Sequence, residues 1–121
     1  MYDQVVEDMI GKVPESITGA DRDSDLLEMK FSDGSSISFY HNQDCCESVD
    51  INDVYGELND LIGHPILVAE ERSEDGDESY ESSTWTFYTF RSLGGTLEIR
   101  WLGTSNGYYS ESVTWSFKNA K

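Results

Sequence analysis

Tyr40-His41-Asn42-Gln43-Asp44-Cys45-Cys46-Glu47-Ser48-Val49-Asp50-Ile51 holds both cysteines and one of the two histidines, and its Glu47-Ser48-Val49 returns near the C-terminus as Glu111-Ser112-Val113. Working outward from that echo, other signals recur in the same order. Asp8-Met9-Ile10-Gly11 matches Asp60-Leu61-Ile62-Gly63, and Pro14 and Pro65 follow. Leu26 to Phe31 is answered by Thr84 to Phe90, both alternating and rich in strand formers. Ser32-Asp33-Gly34-Ser35, a two-residue hairpin signal, is answered by Leu93-Gly94-Gly95. Beyond those turns Ile37 and Phe39 match Leu97 and Ile99 as inward residues, with His41 in the slot of Trp101. Strand parity then points Val49 and Ile51 inward, and likewise Val113, Trp115 and Phe117.

Between these strands the apolar spacing is helical. Val5, Val6, Met9 and Ile10 form one stripe ahead of Gly11; Val54, Leu58, Leu61 and Ile62 form another ahead of Gly63, with Asn52 or Asp53 as its cap. Short strands at Ile17 to Ala20 and Ile66 to Ala69 lead into acidic loops, the second running from Glu70 to Glu81. The expected fold class is α+β: a single domain, 1–121, from two tandem repeats (1–51 and 52–121). Each repeat is a short helix plus about four antiparallel strands, and the two pack with pseudo-two-fold symmetry.

The chain of 121 residues, 37% hydrophobic and 12% aromatic, is rich enough in core formers to fold. Its 8 Lys+Arg against 24 Asp+Glu leave a net charge of −16. Phosphate contacts need cations, so direct binding of nucleic acid or anionic lipid is disfavoured, whereas a protein with a basic surface is a fitting partner. Acids stand where a signal peptide has bases, and no apolar run approaches a membrane span, which predicts a cytoplasmic protein. In that setting Cys45 and Cys46 are expected to be free thiols.

The candidate chemistries are weak. His41, Asp44, Cys45, Cys46 and Glu47 include every zinc ligand type, but adjacent cysteines on an extended chain point to opposite faces and no second pair exists; no metal and no other cofactor is expected. Asp21, Asp23 and Asp25 have the opening spacing of a calcium loop, yet Leu26 and Ser32 stand where that loop needs Gly and Glu. No nucleophile elbow, phosphate loop, zincin or dinucleotide motif is present, so no catalytic residue is assigned and a non-enzyme is expected.

Several segments resemble those of a family of small acidic proteins of unknown function found in bacteriophages and prophages. They are His41 to Val49 (HNQDCCESV), Leu61 to Glu71, Ser83 to Tyr88, and Ile99 to Val113 with its Ser105-Asn106-Gly107-Tyr108-Tyr109-Ser110-Glu111-Ser112-Val113. The resemblance implies an accessory protein working in an infected bacterial cytoplasm by binding a host protein, with defence and nucleic-acid-handling factors among the candidates. The expected contact residues are Glu70, Glu71, Glu74, Asp75, Asp77 and Glu78, with Tyr80 as an anchor. The alternative is a small-ligand site at the equivalent ends of the two repeats, made by His41, Glu47, Trp101, Tyr108, Tyr109 and Glu111. Paired acids and aromatic faces there would suit a cationic or hydrogen-bonding ligand.

Overall fold

The computed structural model describes residues 9–41, 47–75, 82–105 and 113–118. They form eight strands: β1 (Pro14–Thr18), β2 (Leu26–Phe31), β3 (Ser36–Tyr40), β4 (Ser48–Tyr55), β5 (Val68–Asp75), β6 (Ser82–Ser92), β7 (Gly95–Ser105) and β8 (Thr114–Lys118). Two antiparallel sheets result, ordered β1-β2-β3-β8 and β4-β7-β6-β5. The three-stranded meander β1 to β3 hands its chain to the second sheet at β4, and β5 to β7 hand theirs back to the first at β8.

Alternation decides which side chains face inward. Leu27, Met29, Phe31, Ile37 and Phe39 from the first sheet are buried, as are Val49, Ile51, Ala69, Tyr88, Phe90, Leu97, Ile99 and Trp101 from the second. These residues form one apolar cluster. The Phe39 ring joins the sheets, lying 4.7 Å from the ring of Tyr88 and 6.0 Å from that of Phe90. Trp115 and Phe117 are half-buried beside it, since β8 pairs Trp115 with Phe39 and Phe117 with Ile37.

The α+β expectation is overturned: among the described residues the molecule is nearly all sheet, without helix-plus-strand repeat units. Asn52 to Ile62, read as a helix, is instead the end of β4, which pairs Asp53, Val54 and Tyr55 with β7, followed by a 3-10 turn at Leu58–Asp60. Its apolar stripe is real, for Leu61 is fully buried and Val54, Leu58 and Ile62 pack on the core. A strand end followed by a turn delivers the same four side chains inward, and pairing with β7 outweighs any local helical preference. Of the first predicted helix only Met9 and Ile10 are described, in a turn, and residues 1–8 lie outside the described residues.

The repeat boundary at 51/52 also falls inside β4. In the expected superposition Trp115 would face His41, as Ile51 faces Trp101; it faces Phe39 instead. The hairpin at Asp33-Gly34 has three loop residues rather than two. Phe31 N donates to Ser35 O at 2.8 Å and Gly34 N to Phe31 O at 3.1 Å, and Gly34 alone has positive φ, +93°, which is a type I turn closed by a glycine bulge. Glu70 to Asp75, read as loop, forms most of β5. As an edge strand it has little apolar surface to bury, so no hydrophobic alternation announces it.

Candidate functional site

The ligand-site residues of the sequence reading are divided by the fold. His41 follows β3 and Glu47 precedes β4, and the two meet where strand ends of both sheets adjoin: His41 Nε2 lies 2.9 Å from Glu47 Oε2. The side chains are 6% and 0% exposed, so this is a buried pair. Glu47 continues the inward parity of Val49 and Ile51, as the alternation required. Trp101 lies elsewhere, fully buried between Ile51 and Thr86 on the inner face of the second sheet, its indole Nε1 without a hydrogen-bond partner. Tyr108, Tyr109 and Glu111 fall outside the described residues, as do Asp44, Cys45 and Cys46 of the metal reading. Among the described residues no group of three or more His, Cys, Asp or Glu is placed to hold a metal ion.

The proposed contact acids stand on β5. Glu70 and Glu74 share the solvent face, where Arg72 lies between them with its Nε 3.8 Å from Glu74 Oε2. Both partners of that contact are more than half exposed, so it neutralises little. Glu71 has core-side parity and accepts a 2.5 Å hydrogen bond from the Tyr88 hydroxyl. Burial, followed by the Glu71 carboxylate, pushes the Tyr88 hydroxyl well above the usual tyrosine range, so it stays a donor. Asp75 ends the strand, and Asp77, Glu78 and Tyr80 lie outside the described residues.

Beside these acids the solvent face of the second sheet carries a row that the sequence reading did not single out. Arg72 lies 4.5 Å from the centre of the Phe87 ring, and Arg100 lies 5.2 Å from both the Tyr55 and Trp85 rings. Arg100 donates to the Tyr55 hydroxyl at 2.6 Å and stands 3.9 Å from Asp53. Cross-strand register makes this row, pairing Arg72 with Phe87 and Phe87 with Arg100. Alternation shows which residues share a face, but the register that makes them neighbours is not local.

The loop before β2 brings further acids to β4. Asp23 N donates to Ile51 O at 2.7 Å and Ile51 N to Ser24 O at 2.8 Å, which sets Asp23 and Asp25 near Asp50. Partial burial, then the charges of Asp23 and Asp25, raises the Asp50 carboxyl above its ordinary value. Asp53, one bulge further on, is lowered first by the backbone N–H of Val54, then by the Tyr55 hydroxyl, Arg22 and Arg100.

A family model described as "Domain of unknown function (DUF7448)" matches residues 7–115. The chain belongs to this family. The DUF7448 span takes in β1 to β7 and the start of β8, so the β5 acids, the His41–Glu47 pair and the arginine–aromatic row all lie within it. No curated protein matches, and no solved structure matches. Among the described residues no helix is long and apolar enough to cross a membrane.

Proposed function

We propose that this DUF7448 protein is a non-enzymatic accessory protein that binds a basic surface of a host protein and modulates it, working in the cytoplasm of a phage-infected bacterium. The observation that carries this reading is the exposure of Glu70, Glu71 and Glu74 along an edge strand of a chain whose net charge is −16. Like charge so concentrated steers basic partners in and keeps nucleic acid and anionic membranes away. Three arginines, Arg72, Arg91 and Arg100, share the solvent face of the second sheet, and the net charge of −16 already counts them; Arg72 and Arg100 are each engaged with an aromatic ring and an acid. Among the described residues nothing favours a small-ligand site more, since His41 and Glu47 engage each other and Trp101 is a core residue.

The test is a pull-down from bacterial lysate at low and moderate salt, using the protein and its Glu70→Gln/Glu74→Gln variant. A partner of basic surface retained at low salt, and lost at moderate salt and from the variant, is the expected result. Recovery of no partner, or of one indifferent to salt and to the substitutions, would overturn the reading.

A further inference from the structure

Two four-stranded sheets have four edges, and an open edge invites another strand because its backbone N–H and C=O groups lack partners. Three of the four are closed, interrupted or short. At β4 the chain bulges between Ile51 and Asp53, and residues 23 and 24 hydrogen-bond to Ile51. β1 has five residues, starts with a proline, shifts register between Pro14 and Ser16, and has its Pro14 carbonyl taken by Gly63 N at 2.9 Å. β8 also has only five residues.

β5 differs from all of them. Its eight residues pair with β6 in unbroken register from Val68↔Arg91 to Asp75↔Thr84, and among the described residues its backbone bonds to no other element. What guards this edge is charge. Two copies joined through β5 would crowd Glu70, Glu71 and Glu74 of each against the other, which disfavours self-pairing. The same acids favour a strand that carries cations.

We propose that the free edge of β5 takes an extended basic segment of the partner protein as a fifth strand of the second sheet. This rests on the acidic-surface reading and adds how the partner is held: main-chain hydrogen bonds hold it, and alternating side chains select it. The register of β5 specifies the segment. Glu70 and Glu74 lie four residues apart on the solvent face, so the segment carries Lys or Arg at positions i and i+4. Beside Arg72 it carries an uncharged residue, and a further cation on the opposite face meets Glu71.

Titration of 15N-labelled protein with two synthetic peptides tests this. One is a segment about ten residues long with that lysine pattern and Thr or Val elsewhere; the other is the same sequence N-methylated at four adjacent central residues, which keeps the charge and blocks both strand edges. The unmodified peptide is expected to shift and protect β5 amides. Methylation and the Glu70→Gln/Glu74→Gln substitution are each expected to weaken binding by about tenfold or more, the loss of one or two net hydrogen bonds or ion pairs. Equal binding of both peptides would overturn edge pairing while leaving the acidic-surface reading intact. Shifts confined to another edge, or dimerisation of the protein through β5 in sedimentation runs without peptide, would also overturn it. Binding of neither peptide at low salt would count against both readings.

Discussion

Gly11 and Gly63 occupy matching turns that hold each other. Their φ angles are +93° and +88°, and each donates its amide to the opposite segment, Gly11 to Ile66 O at 2.7 Å and Gly63 to Pro14 O at 2.9 Å. A third bond, Ile66 N to Lys12 O at 3.0 Å, has no mirror image because Pro14 lacks an N–H. The two Asp-x-Ile-Gly signals thus end in left-handed turns that tie the chain before β1 to the chain before β5. A Cβ at either glycine meets nothing within 4 Å, so the cost of replacing one lies in the backbone alone. Gly63→Ala should destabilise the protein by about 1–2 kcal/mol in urea denaturation. A neutral or stabilising result would contradict the assignment.

The His41–Glu47 pair predicts an asymmetry between single and double substitutions. With both side chains almost wholly buried, His41→Ala removes a partner from an interior carboxylate and should cost about 3 kcal/mol. His41→Phe with Glu47→Leu removes both polar groups together and should recover much of that loss. Equal destabilisation of the single and double variants, by thermal or urea melts, would show that the pair is not what the site requires.

Asp33 gives a pH signature of opposite sign to that of Asp50. Its carboxylate accepts from Lys12 Nζ at 2.5 Å and from Ser35 Oγ and N at 2.5 and 2.9 Å, and these bonds hold it well below the usual carboxylate range, Lys12 contributing most. An acid lowered on folding stabilises the folded chain above its unfolded pKa of about 3.9 and loses that contribution as pH falls toward the folded value. Asp33→Asn should therefore melt below the native protein at pH 7, with the gap closing only below about pH 4. A gap constant from pH 7 to pH 2 would refute the assignment.

Asp50 is raised, so its charge opposes folding at neutral pH. The native state binds the proton more tightly there, so stability falls as pH rises from the unfolded value of about 3.9 through the raised folded value. Asp50→Asn should raise the Tm at pH 7 by only about 1–2 °C, because Asp50 is only partly buried and solvent still screens its charge. The gain should vanish by about pH 3, and a loss of stability at pH 7 would contradict it.

The sequence by itself determined which side chains face the interior. Alternation in Leu27-Glu28-Met29-Lys30-Phe31, in Ile37 and Phe39, and in Leu97-Glu98-Ile99-Arg100-Trp101 sets the inner faces of the two sheets, and parity from Val49 places Glu47 inward. Turn chemistry marked the links between β2 and β3 and between β6 and β7. All of these depend on neighbours within a few residues of one another. Only the tertiary structure decided the rest. A period of two shows which face a strand buries and leaves open which strand lies beside it, so the passage of β4 and β8 into opposite sheets could not be read locally. Nor could Trp115 facing Phe39, or His41 meeting Glu47 across six positions of chain. The stripe Val54, Leu58, Leu61, Ile62 fits a helix as well as a strand followed by a turn, and pairing with β7 settles it. At β5 the local signal is nearly absent: an edge strand with charged side chains has little apolar surface to bury, and hydrogen bonding to β6 makes it a strand.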